Sequence, residues 1–245
     1  MIRDALERDR LKLFVQPMFE VGTRRPVTWE VLVTLIDSAG KVRFPAEFIQ
    51  QAEALDLIQK VDEKVAQVAM ARWRKYHDAG RDMRLTLNVA AKSVDAHIAG
   101  VIVQEANRNG VPRGRVSVEF NENAMMVRTR DMHGFCQTLR GAGIDVGVDD
   151  FGSGIASLSM LRNLPISYIK IDGSLIMNLA PASPDRALVQ AVVGIAKSRG
   201  ILTCAEFVQD DATMKALGEM GVDYAQGFFL GMREEFPAVP AAGAG

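Results

Sequence analysis

Cysteine is scarce in this chain: Cys136 and Cys204 are the only two among 245 residues. Two thiols cannot build a disulfide framework, and Cys204 sits in an apolar, strand-like run, so a reducing, cytoplasmic setting is expected. Long apolar runs are also missing. No stretch approaches the ~20 residues of a membrane-spanning helix, and the first residues lack the apolar core of a secretion signal. No membrane segment is expected in these residues; a longer natural protein could carry such segments elsewhere. An excess of either charge is absent too, since 29 basic and 30 acidic residues leave a net charge of −1. That balance argues against binding long nucleic acid and against electrostatic docking on membranes. It leaves room for a small anionic ligand held through metal ions. Histidine is limited to His77, His97 and His133, all in helix-like stretches away from strand ends, where surface or ordinary structural roles are expected.

What is present is ordinary in amount and unusual in order. The chain is 48% hydrophobic and 24% charged, enough for a sizeable core, and its length suits one large α/β barrel. Strand-like runs repeatedly end in a residue able to bind a metal or a phosphate. Asn88 closes LTLN, Glu119 closes VSVE, and Asp149 and Asp150 close VGVDD. Lys170 lies in SYIKID, Glu206 closes LTCAE, and Gln226 lies in VDYAQG. These positions recur at roughly 20 to 36 residues, with a helical stretch between them, which is the rhythm of a (β/α)8 barrel whose site gathers at the C-terminal strand ends.

The expected elements follow that rhythm. Helix 2–9 precedes strands at 11–18 and 27–36, then helices 46–58 and 61–78, the second with an apolar stripe of Val61, Val65, Val68, Ala69 and Trp73. Strands at 83–89, 115–120, 144–149, 167–172, 200–206 and 222–229 then alternate with helices at 91–108, 131–141, 155–163, 184–198 and 210–219. Runs such as VSVEF and YIKID are nearly continuous apolar segments, as in parallel strands buried on both faces. Residues 1–235 are expected to form the domain, and 236–245, a low-complexity segment, a disordered tail.

Glu30, Asn88, Glu119, Asp149, Asp150 and Glu206 form a set of hard oxygen ligands, suited to Mg²⁺ or Mn²⁺ rather than zinc or copper. One acid at a strand end is usually a helix cap or an ion-pair partner. Six at equivalent positions point to a shared site, and carboxylates crowded in one mouth would repel one another without cations. Two divalent ions can clamp the attacking and leaving oxygens of a phosphoryl displacement. Asp149 and Asp150 would face opposite ways in a regular strand, so a twist or bulge is needed to bring both to the mouth, with Asp150 placed to bridge two ions. Lys170 could assist a water as general base if nearby cations lower its pKa, or act as a fixed charge facing a phosphate. The turn DDFGSG, including Phe151, Gly152, Ser153 and Gly154, is either a tight connection or a mobile loop coupling the site to a dimer face. Glu122 either anchors that loop or is a solvated acid starting a helix. Its DFG lacks the glycine loop and catalytic loop of a kinase. Met125 and Met126 read as packing residues, and Trp29 as core or pocket wall, or a surface for stacking a purine.

In order, the segments QP (Gln16–Pro17), EVL (Glu30–Leu32), FPAEFIQQAE (44–53), NVA (88–90), VEFNE (118–122), DDFGSGIASL (149–158), YIKID (168–172), AE (205–206) and QGFF (226–229) resemble the EAL domain, a bacterial cyclic di-GMP phosphodiesterase module. The resemblance runs from about residue 3 to 231 and implies a modified TIM (β/α)8 barrel with its first strand antiparallel. It implies hydrolysis of cyclic di-GMP to linear pGpG with Mg²⁺ or Mn²⁺, inhibition by Ca²⁺, and a homodimer. Glu30, Asn88, Glu119, Asp149, Asp150 and Glu206 match the metal ligands, with Glu30 and Glu206 also acting in catalysis. Lys170 matches the lysine near the attacking water. Gln16, Leu32, Thr34, Phe207 and Gln226 match positions that contact the nucleotide.

Departures from the family pattern cluster at those contacts. EALLR becomes EVLVT, so Thr34 stands where the family has an arginine that looks like a phosphate clamp. AEGVE becomes AEFVQ, so Phe207 replaces a glycine and Gln209 an acid, while Ile155 and Ala156 replace a tyrosine and a serine. GMREE follows QGFFL in place of a basic residue and a proline. The metal set is whole while ligand contacts have drifted. A phosphodiesterase of reduced activity is therefore expected. The alternatives are an inactive cyclic di-GMP receptor and a protein-interaction scaffold, working with a signalling partner or with flanking sensory domains.

Overall fold

The computed structural model describes residues 1–152, 164–180 and 183–236. The expected helix 155–163, together with Ser153, Gly154, Ile155 and Ala156, lies outside the described residues, as does the tail after Phe236.

Eight strands close into a barrel. They are β1 (Leu11–Glu20), β2 (Pro26–Ile36), β4 (Leu85–Val89), β5 (Val116–Asn121), β6 (Asp145–Phe151), β7 (Tyr168–Ile171), β8 (Leu202–Ala205) and β9 (Tyr224–Ala225). Neighbours from β2 through β9 pair in parallel, and β1 closes the wall by pairing antiparallel with both β2 and β9. This is the modified TIM barrel with one reversed strand. Two short strands were not foreseen: β3 (Val42–Arg43) pairs antiparallel with the end of β2, and β10 (Glu234–Glu235) pairs antiparallel with β1. Each is too short to carry a periodic signal.

Helices cover the outer face. The apolar stripe on the helix Ile58–Asp78 buries Val61, Val65, Ala69 and Trp73, and the Trp73 indole donates to the Met83 carbonyl at 2.8 Å. The helices Ala96–Arg108, Pro184–Ser198 and Asp211–Met220 begin at Asp95, Ser183 and Asp210, whose side chains each accept a first-turn backbone N–H. Among the described residues no helix is long and apolar enough to cross a membrane.

Several sequence expectations need correction. The 91–108 helix is a short 3-10 turn at 91–93 followed by a helix from Ala96. An extra helix, Glu122–Val127, precedes Thr129–Gly141, and another short one spans Gly173–Ile176. The last strand stops at Ala225 rather than 229, and beyond it Gly227 lies so close to the Val208 backbone that a Cβ would overlap it. Phe236 is not loose tail: it is buried, meets Tyr76 edge to face, and lies beneath the Arg72 guanidinium. Met126 is 56% exposed, while Met125 is packed as expected. Trp29 alternates with Glu30 and packs against the core, so it is not a stacking surface in the mouth.

Period-2 alternation sorts the barrel interior into layers. Glu30, Asn88, Glu119, Asp149, Lys170 and Glu206 form one ring. Two residues earlier on each strand stand Thr28, Thr86, Ser117, Gly147, Tyr168 and Cys204. In this lower layer Thr28 and Thr86 hydroxyls lie 3.2 Å apart, and Thr86 and Ser117 hydroxyls 2.7 Å apart. The Tyr168 ring fills the space that a side chain at Gly147 would need. A packed floor thus closes the barrel beneath the acid ring.

Candidate active site at the barrel mouth

The ring is organised around one ammonium. Lys170 is 1% exposed, and its Nζ lies 2.9 Å from Asp149 Oδ1, 2.9 Å from Glu206 Oε1, 3.3 Å from Glu30 Oε2 and 3.3 Å from Glu119 Oε2. Burial works to lower the Lys170 pKa, but attraction to Asp149, Glu119, Glu206 and Glu30 outweighs it and holds the value well above the usual lysine range. The acids alone therefore make Lys170 a fixed cation, the opposite of the depression a general base needs.

Glu30 is gripped on both oxygens. Asn88 Nδ2 donates to Oε1 at 2.7 Å, and Gln226 Nε2 donates to Oε2 at 2.8 Å. Burial opposes its charge, yet Lys170 and these two amides together keep its pKa below the ordinary value. With its NH₂ turned to Glu30, Asn88 keeps an amide oxygen for a cation. Glu119 is fully buried, and burial, with Asp149 and Glu30 nearby, pushes it well above the normal carboxylate range despite Lys170. Burial raises Glu206 to about 7. Asp150 is raised by burial and by the adjacent Asp149.

Both aspartates reach the mouth, as the chemistry requires, through an irregularity between Val148 and Phe151, with Asp150 at φ 53°. Asp150 accepts from Asn121 Nδ2 at 2.5 Å. Asn121 escaped sequence reasoning, although its place just after Glu119 in VEFNE was the available signal. Two acid triads lie close enough to share an ion each: Glu30, Glu119 and Asp149, and Asp149, Asp150 and Glu206. Asp149 is common to both. Among the described residues, five carboxylates share the mouth with one ammonium, which contacts four of them, and the buried Glu206 Oε2 has no hydrogen-bond donor. Hard oxygen donors with that excess of negative charge fit divalent cations well.

Beside the ring opens a cleft of about 310 Å³ lined by Gln16, Glu30, Leu32, Glu206, Phe207, Gln209, Gln226 and Phe228, among others. Gln16 Nε2 donates to the Gly231 carbonyl at 3.1 Å. Phe207 is 55% exposed and takes the left-handed φ of 54°, a conformation suited to glycine, with its ring lying over Gly173. Thr34 is not in the cleft lining; it is 2% exposed, and its hydroxyl donates to the Lys12 carbonyl at 3.2 Å. Glu122 is buried and accepts the Gly152 N–H at 2.7 Å, tying the start of the glycine turn to the helix after β5. Phe151 is buried in the core.

Residues 1–233 match the EAL domain family. The chain belongs to the EAL domain family. Among curated proteins, this EAL domain is 33% identical over 233 residues to the cyclic di-GMP phosphodiesterase PdeB of Shewanella oneidensis, covering 94% of this chain and 27% of that protein. It is 30% identical over 231 residues to the signaling protein YkoW of Bacillus subtilis, covering 94% of this chain and 29% of that protein. The EAL domain thus spans under a third of the length of these relatives. Among solved structures, it superposes on a PaMucR phosphodiesterase in complex with c-di-GMP with a TM-score of 0.88 at 28% identity, covering 96% of each chain. The FimX EAL domain of Xanthomonas citri, in complex with c-diGMP, gives a TM-score of 0.88 at 25% identity over 97% of this chain and 94% of that one.

Proposed function

We propose that this EAL domain hydrolyses cyclic di-GMP to linear pGpG in a reaction dependent on Mg²⁺ or Mn²⁺. The observation that carries the reading is the cluster of five carboxylates at the mouth, four of them around Lys170, set directly beside a cleft with apolar and amide walls. Glu30, Asn88, Glu119, Asp149, Asp150 and Glu206 would hold two divalent ions, which supply activation of water and neutralisation of phosphate charge. Asn88 and Gln226 fix Glu30 in one orientation. Lys170, held as a cation by its four carboxylate neighbours, offers a positive charge at the bottom of the site. Leu32, Phe207 and Phe228 provide apolar surface for a guanine base, and Gln16 lines the wall between base and ring. In the overall reaction a water oxygen bonds to phosphorus as the bond from phosphorus to the 3′ oxygen breaks. The product is a linear dinucleotide with a 5′ phosphate and a 3′ hydroxyl.

The receptor reading is favoured by one specific observation: Thr34 turns its hydroxyl onto the neighbouring strand and presents no cation to a phosphate. Incubation with cyclic di-GMP and Mn²⁺, resolved by chromatography with Glu30→Ala as control, separates the two. Accumulating pGpG that disappears in the control supports hydrolysis. Absence of product at high protein concentration, with ligand bound by calorimetry, moves the assignment to a receptor. A homodimer coupled through Glu122 and the glycine turn completes the proposal, and sedimentation with and without ligand tests it.

A further inference from the structure

A phosphodiester lying in the cleft needs positive charge toward the rim, and the acid ring supplies none beyond Lys170. Antiparallel register between β1 and β2 sets Gln16 opposite Glu30, Phe14 opposite Leu32 and Lys12 opposite Thr34. No irregularity interrupts these pairs, so all six share one face of the β1–β2 ribbon; Gln16, Glu30 and Leu32 line the cleft, and Lys12, Phe14 and Thr34 continue that face beyond it. Directly opposed residues have Cβ atoms about 4.5–5.5 Å apart. Lys12 therefore stands beside the place that a side chain at position 34 would serve.

The two residues differ in availability. Thr34 is buried and committed to the Lys12 carbonyl. The Lys12 side chain is 37% exposed, and its Nζ meets Glu235 Oε2 at 3.3 Å, on a side chain 55% exposed. Glu235 pairs across β1 with Phe14, which puts it on the same mouth-facing side. An ion pair this open to water is weak, so a phosphate can displace it at small cost. Neighbouring cations at the rim are more firmly engaged. Arg43 bridges Asp37 and Glu47, Arg10 pairs with Asp4, and Arg233 stacks 4.4 Å over the Phe44 ring.

We propose that Lys12 recognises the anionic phosphodiester at the outer end of the cleft, and that Glu235 competes with the ligand for it. This inference rests on the proposed function and adds a residue to its binding surface. Lysine acts here as a mobile point charge, in contrast to the planar clamp of an arginine. Because Lys12 and position 34 face the same space, a cation restored at 34 substitutes for one lost at 12.

The test is calorimetric titration of cyclic di-GMP in Ca²⁺, with turnover in Mn²⁺ measured in parallel. Lys12→Met is expected to weaken Kd roughly tenfold, the loss of one charge-assisted contact, and to raise KM without changing kcat. Lys12→Arg is expected to keep parental affinity, Glu235→Gln to tighten binding a few-fold, and Thr34→Arg to restore affinity in the Lys12→Met background. Melting temperatures of all variants serve as the folding control. If the parent binds and Lys12→Met binds within about twofold of it, the inference is overturned while the proposed function stands. If the parent itself binds no cyclic di-GMP, the proposed function fails and takes this inference with it.

Discussion

Replacing Lys170 by methionine isolates the electrostatics of the ring. The lysine is 1% exposed and holds four carboxylates within 3.3 Å, of which Glu119 is completely buried. Methionine fills similar space and leaves those acids with no cation. Breaking a buried ion pair by removing one partner costs about 3–5 kcal/mol, because the other charge stays buried and uncompensated. For a chain of this length each kcal/mol moves the melting temperature by about 2–4 °C, so the metal-free variant should melt roughly 6–20 °C below the parent. Part of the loss is recoverable by protonation. Burial already pushes Glu119 upward and Lys170 opposes it, so removing the lysine lets Glu119 take a proton more readily. The deficit should be larger at pH 8 than at pH 6. Divalent cations should reverse it, since they replace the missing charge, and Mn²⁺ should raise the melting temperature of the variant more than that of the parent. The assay is thermal denaturation in EDTA and in Mn²⁺ at both pH values. A variant that melts within about 2 °C of the parent in EDTA would mean that the ring does not depend on Lys170, and the electrostatic account would be wrong.

Glu30→Ala should abolish pGpG formation, because it removes the carboxylate that Asn88, Gln226 and Lys170 jointly orient; chromatographic product at the parental rate would remove Glu30 from the site. Thr34→Arg should lower KM by about 10- to 100-fold through a charge-assisted contact of about 1.5–3 kcal/mol, and steady-state kinetics with an unchanged KM would count against it. Burial raises Glu206 to about 7 from its ordinary value of 4.5, so the native state binds the extra proton between those values. Metal-free stability should therefore fall as pH rises from about 4.5 to 7, while the gain in melting temperature from added Mn²⁺ grows over the same window; a flat profile in EDTA would contradict the assignment. Phe207→Gly relieves about 1–2 kcal/mol of left-handed strain and should tolerate Gly173→Ala, which in the parent drives a methyl into the Phe207 ring. A melting-temperature cycle of the four proteins should be non-additive, and additivity would show that the ring is not lodged over Gly173.

The barrel was legible because its signal is local. The repeated strand-end residues gather Asn88, Glu119, Asp149, Lys170 and Glu206 at one mouth without any knowledge of contacts, and Glu30 joins them as a further hard oxygen ligand. Misreadings fell where local pattern carries no information. Met126 has the composition of a core residue but lies on the outer side of a short helix, and β3 and β10 pair over two residues each. Thr34 and Phe207 stand out by what they replace, while nothing in their local pattern shows where their side chains go.

The chain by itself thus determined the barrel class and the chemical character of the mouth, since both follow from side-chain type and the alternation of strand-like and helix-like runs, while the reversed first strand was implied only by the resemblance to EAL domains. Tertiary structure decided which acids share a cation, because Lys170 reaches Glu30 across 140 residues of sequence and Gln226 reaches it across 196. It made Asp149 the acid common to both triads through a backbone irregularity at Asp150. It also set Lys12 opposite Thr34, a consequence of antiparallel register between β1 and β2. Register is fixed by how strands meet in the closed barrel, and spacing along a single strand does not encode it.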